Sequence, residues 1–163
     1  MVGFSWYNGF ISSNIWAIKM IDKKQLYRLI AEVLGRHNLD QKGAIDLVYG
    51  TIAHESNRGT YLRQLSKNFD LYKHAIGIAQ MEYNTFCWLC DRFGDTFGFE
   101  RKDFPRLEHD LALSILLCRL RYRVDPEPIP KTLEEKADYY KRIYNTSFGS
   151  ATPQDFINAF NKK

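Results

Sequence analysis

The sequence predicts a mainly α protein, and three observations lead there. Apolar residues recur at three- and four-residue spacing through several long stretches. Asp22, Thr132 and Thr152 each stand just before such a stretch, where a helix needs a side-chain cap. Residues His109–Arg123 are apolar on nearly every side, the pattern of a helix buried in a core. Residues 60–76, by contrast, mix aromatic, basic and polar side chains without a clean period and predict a small irregular lobe with little regular strand.

Asp22 opens the first predicted helix, which carries Leu26, Leu29, Ile30 and Val33 on one face and stops at Gly35. Asp40 is expected to open the second, which ends near Asn57 to Gly59. Residues 82–93 form a third, followed by a loop punctuated by Gly94 and Gly98. The buried helix His109–Arg123 comes next, with Arg119, Arg121 and Arg123 at its C-terminal end, where cations suit the helix dipole. Those arginines fit capping and solubility as well as substrate binding. Asp125 to Pro130 is a stiff extended connector, because each proline disfavours helix in the residue before it. Thr132 with Glu135 makes a capping box for a further helix. Leu133, Ala137, Tyr140 and Tyr144 run down one face of it. Thr152 caps a last helix that runs to about Asn161.

One domain is the natural count for 163 residues, with residues 20–163 as its body. Residues 1–19 hold Trp6, Tyr7, Phe10 and Trp16 broken by polar residues and lack the basic start and clean apolar run of a signal peptide. They read as an appended arm or an upstream extension of the reading frame. No run of eighteen apolar residues occurs, so no membrane insertion is expected. The net charge of +4 suits an anionic partner but is too small to choose one. Basic residues are spread along the chain rather than gathered on a recognition helix, which speaks against nucleic acid as the partner. The three cysteines do not form a disulfide framework, and Cys87 and Cys90 read as small core residues of a helix rather than a redox pair. The four histidines lack ligand spacing, so neither metal nor cofactor is expected.

Glu55 stands out chemically. Ile45, Val48, Ile52 and Glu55 are spaced three, four and three apart, so a carboxylate ends an otherwise apolar helix face. Burial and the negative end of the helix dipole both raise a carboxyl pKa. An acid kept protonated near neutral pH is what cleavage of a glycosidic bond requires. Taken alone, the residue reads more readily as an acid at a helix end turned out to solvent.

Two further motifs follow it in order. Glu55-Ser56, then Gly77-Ile78-Ala79-Gln80, then Tyr144-Asn145 resembles the soluble lytic transglycosylases of glycoside hydrolase family 23, relatives of goose-type lysozyme. Met81 to Phe86 is similar to that family's Leu/Ile-Met-Pro-x-Thr-Ala segment, with Thr85 in register. Tyr83 stands where the family has Pro, and Ser147 where it has Gly, while Gly149 fits the next Gly of that turn. The resemblance spans about residues 40–150 and implies a lysozyme-like fold, with residues 60–76 as its hairpin lobe.

It also implies a mechanism. Glu55 is the single catalytic acid/base cleaving the bond between N-acetylmuramic acid and N-acetylglucosamine in peptidoglycan glycan strands. Gly77, Ile78, Ala79 and Gln80 line the glycan groove, Tyr144 orients or hydrogen-bonds Glu55, and Asn145 holds the turn beside it. Ser56 braces the helix end. The product is a 1,6-anhydromuramoyl end. A hydrolytic lysozyme needs a second acid, for which Asp70 and Glu82 are the candidates by position. A non-catalytic glycan-binding relative is the third reading. A wall-cutting chain of this kind without an export signal suits a bacteriophage, either virion-associated through residues 1–19 and a tail protein or released to the periplasm and cell wall.

Overall fold

The computed structural model describes residues 20–163, so the expected arm at residues 1–19 lies outside the described residues. Six α-helices make up half of the described chain: α1 (Lys23–Arg36), α2 (Ala44–Ser56), α3 (Tyr83–Phe97), α4 (Leu111–Arg123), α5 (Leu133–Tyr140) and α6 (Pro153–Asn161). A 3-10 helix, Arg101–Glu108, joins α3 to α4, and a π-helical segment, Lys141–Asn145, continues α5. The protein is mainly α.

The capping signals act as the sequence predicts. Asp22 accepts from the Gln25 amide, and Thr132 and Thr152 each form a capping box, with Glu135 and Asp155 respectively. These contacts satisfy amides that the first helical turn leaves without partners. Three boundaries differ from expectation. α1 continues through Gly35 to Arg36. α2 opens after Gly43, in the left-handed region at φ 85°, rather than at Asp40. Leu39 is fully buried and the chain then turns through Gln41, whose carbonyl accepts the Ala44 amide at 2.8 Å, before the helix starts. α3 runs past Gly94 to Phe97 and stops where Gly98 turns left-handed. The 3-10 helix has no expectation behind it, since Pro105 at its centre masks a helical reading of the sequence.

α2 is the hub. It packs on α1, α4, α5 and α6 and buries Leu47, Val48, Tyr49 and Ile52 completely. It shares the central role that the sequence gives to α4, whose Ile115, Leu117, Cys118 and Leu120 are also sealed from solvent. Gly50 sets how closely α6 approaches: a Cβ there would sit 2.2 Å from the Phe156 ring. Inside the core, Thr51 and Tyr122 share a hydrogen bond of 2.7 Å, tying α2 to α4. This close packing fixes the C-terminal end of α2, and with it Glu55, against α5.

An irregular lobe lies where residues 60–76 predict one, and it extends to Met81. Only two isolated antiparallel bridges, Arg63 with Ile76 and Ile76 with Met81, occur among the described residues. The Gln64 amide donates to Ala75 at 2.9 Å and the Gly77 amide to Leu62 at 2.8 Å, closing the lobe on itself beside the end of α2.

Candidate active site

A cleft of about 560 Å³ opens where five segments meet: the end of α2, the lobe, the start of α3, the end of α4 and the π segment with the loop after it. Glu55, next to last in α2, lines it. Gln64, Gln80, Glu82, Thr85, Arg121 and Asn145 supply most of its other polar lining.

Glu55 is half-buried, and the Tyr140 hydroxyl donates to its Oε1 at 2.6 Å. Burial raises the Glu55 carboxyl above its ordinary value. The Tyr140 hydrogen bond and the Arg121 guanidinium oppose that shift, and the Glu82 carboxylate adds to it. The net direction is upward, so desolvation outweighs the two groups that favour the anion. The position at the C-terminal end of α2 pushes the same way through the helix dipole.

Tyr140 ends α5, on the face that the Leu133, Ala137 and Tyr140 spacing predicts. Its ring is gripped on three sides. Phe156 lies 5.0 Å away, Tyr144 stacks at 6.0 Å and His54 meets it edge-on at 5.3 Å. His54 is thus partly buried, and burial lowers its pKa. The hydroxyl next to Glu55 therefore belongs to a fixed ring and needs no ordering when charge develops.

Tyr144 lines the cleft but does not hydrogen-bond Glu55 as expected. Its hydroxyl donates to the Ala79 carbonyl at 2.7 Å, and Arg121 lies over its ring at 4.3 Å. The reason is local. Tyr140 and Tyr144 share one face, but Tyr140 is a turn nearer α2, and the π segment begins between them. Arg121 also donates to the Tyr144 carbonyl, holding its guanidinium in the cleft.

Gln80 and Asn145 line the same cleft as Glu55. Gln80 Nε2 donates to the carbonyls of Gly77 at 3.0 Å and Tyr61 at 3.2 Å, which leaves its side-chain oxygen as an acceptor. Lys141 Nζ donates both to Asn145 Oδ1 and to the Gly149 carbonyl, each at 2.8 Å, and so pins the turn after the π segment. Gly149 packs on that amide, since a Cβ there would fall 2.3 Å from it.

Gly77, Ile78 and Ala79, expected to line the groove, are instead buried beneath it. Gly77 has φ 78°, and a Cβ there would lie 2.5 Å from the Leu107 carbonyl oxygen and 2.8 Å from Ser114 Oγ. The close approach that demands glycine is made by the protein's own backbone. Ile78 is sealed in the core, and Ala79 supplies the acceptor for Tyr144. Ser56 braces the end of α2, accepting from the Gly59 amide at 2.9 Å.

The two candidate second acids separate. Asp70 lies outside the cleft lining. It accepts the Tyr72 amide at 2.9 Å, and that bond with Lys73 holds its carboxyl below the ordinary value. Glu82 lies just before α3, is exposed, and lines the cleft. Tyr140, Gln64 and Phe148 are cleft or Glu55-contacting residues that sequence reasoning passes over. Tyr140 was reachable as the inward tyrosine four residues before Tyr144.

Among the described residues no group of three His, Cys, Asp or Glu is arranged to hold a metal, and no helix is long and apolar enough to cross a membrane. Compared with protein-family models, curated proteins and solved structures, the chain matches none.

Proposed function

We propose that the cleft cleaves the β-1,4 bond between N-acetylmuramic acid and N-acetylglucosamine in peptidoglycan, as a lytic transglycosylase with Glu55 as its acid/base. One observation carries the reading: a half-buried carboxyl with a raised pKa faces a cleft while a fixed hydroxyl donates to it. Burial favours the protonated acid before reaction, and Tyr140 with Arg121 favours the carboxylate once the proton has left. Such an arrangement suits one group that must give a proton and then take one back.

In the first step the Glu55 proton moves to the glycosidic oxygen and the bond from that oxygen to C1 breaks. The charge at C1 is met by the oxygen of the substrate's own acetamido group. In the second step the Glu55 carboxylate removes the proton of the C6 hydroxyl, whose oxygen bonds to C1 and closes the 1,6-anhydro ring. The nucleophile is already attached to the sugar, which removes the entropy cost of capturing a second reactant. Gln80 offers an acceptor to a sugar hydroxyl, and Phe148, 99% exposed at the rim, offers an apolar face to a pyranose ring.

Glu82 favours a second reading. It lines the same cleft and would direct a water molecule to C1, giving hydrolysis and a free reducing end. Digesting purified peptidoglycan and weighing the fragments separates the two, because the products differ by one water. Fragments ending in anhydromuramic acid support the transglycosylase; reducing ends support Glu82. No fragments at all, from a folded protein, would leave a glycan-binding module.

A further inference from the structure

A second cavity, of about 450 Å³, lies at the opposite end of α2 from Glu55. Gly43 and Glu55 are twelve positions apart, about 18 Å at the usual helical rise. Two cations line this cavity, Arg119 from α4 and Lys136 from α5, and each is more than nine-tenths buried. Buried charge is costly unless it is paired. Yet none of the ion pairs among the described residues includes either one.

Their hydrogen bonds are all to neutral groups. Arg119 donates from Nε to the Leu39 carbonyl at 3.2 Å and from Nη2 to Gln41 Oε1 at 3.0 Å. Among the described residues its Nη1 has no partner, and it is not sealed from solvent either. Lys136 Nζ donates once, to the Lys131 carbonyl at 2.7 Å, of the three protons it holds. The α2 N-terminus adds to the same field, because Gly43 offers it no side-chain acceptor. Two acids reach the rim, but both are engaged elsewhere. Asp46 accepts from the Tyr27 hydroxyl at 3.1 Å, and Glu127 accepts from Arg142 at 2.6 Å. Lys42 and Lys131 also line the cavity, so its charged side chains sum to an excess of positive charge. Pro128, Ile129 and Pro130 form an apolar wall facing the cations.

We infer that this cavity is a binding site for a carboxylate borne on a short apolar chain, with Arg119 and Lys136 as its counter-charges and Ile129 as its apolar wall. A guanidinium edge with an unused nitrogen matches a carboxylate, and the wall separates this ligand from a bare inorganic anion. The proposal stands apart from the reading of the cleft: either can fail alone.

The test is titration calorimetry on the full chain. The probes are N-acetyl-alanyl-alanine with a free carboxylate, the same dipeptide as its C-terminal amide, and inorganic phosphate. Saturable binding of the free acid, at least tenfold tighter than the amide and tighter than phosphate, is expected. Lys136→Met and Ile129→Asp should each weaken the acid at least tenfold. The second leaves both cations in place and guards against a variant that fails to fold, which thermal unfolding checks. Wall-lytic activity, if present, should not change in Ile129→Asp. Absence of millimolar binding, equal binding of acid and amide, preference for phosphate, or affinity unmoved in folded Ile129→Asp would each overturn the assignment.

Discussion

The Tyr140 hydroxyl donates to Glu55 Oε1 at 2.6 Å, so the carboxyl at the end of α2 is governed by a side chain from α5 rather than by its own helix. That bond favours the charged form of Glu55. Tyr140→Phe should therefore raise the Glu55 pKa and move the alkaline limb of the lysis pH profile upward. It should also cut turnover about 10- to 100-fold, the worth of a hydrogen bond to a charged group. A pH profile of turbidity clearance reads both effects.

Tyr144→Phe tests the division of labour between the stacked tyrosines. Its hydroxyl serves the Ala79 carbonyl, and loss should cost about 1–3 kcal/mol of stability, as a buried carbonyl is left without a donor. The pH profile should stay where it is. Urea unfolding alongside the activity assay separates this outcome from that of Tyr140→Phe.

Glu55→Gln should lower wall-lytic activity by orders of magnitude while leaving stability equal or higher. The sign with pH follows from the raised pKa. The folded protein holds the Glu55 proton more tightly than the unfolded chain, so the group's contribution is fully present below the unfolded value of about 4.3. It is lost as pH rises through the folded value. Thermal unfolding of the wild type should fall relative to Glu55→Gln across that interval and run parallel above it.

Gly77→Ala should destabilise the lobe by about 3 kcal/mol, combining a left-handed backbone with a clash against the Leu107 carbonyl. If Gly77 served only to admit a sugar, binding would fall with stability intact. Urea unfolding together with glycan binding distinguishes these results.

The helices were legible because their signals are local. Asp22, Thr132 and Thr152 cap the residues they precede, and the periodic apolar positions of α1, α4 and α5 enter the core. Glu55, Gln80, Tyr144 and Asn145 could be singled out by type and order, and they line one cleft. What stayed hidden depends on distances between segments. Two inward tyrosines four residues apart look alike in sequence, and only the position of α2 decides which reaches Glu55. The glycine at 77 signals a close approach, but its partner, Leu107, lies in a 3-10 helix that no periodicity reveals. Arg119 reads as a solvated cation at a helix end, and its burial depends on the turn through Leu39 and Gln41.

The π segment Lys141–Asn145 has a consequence for how this cleft can be altered. A π turn spends more residues per revolution than an α turn, so it acts as a phase shifter between α5 and the wall that follows. Winding the same five residues as an ordinary α-helix would swing everything downstream by roughly a quarter turn. Tyr140 would keep its bond to Glu55, while Asn145, Thr146 and Phe148 would rotate off the opening. The winding of this short stretch, as much as residue identity, sets which side chains face the cleft, and a graft of this wall onto another helix must carry that winding with it.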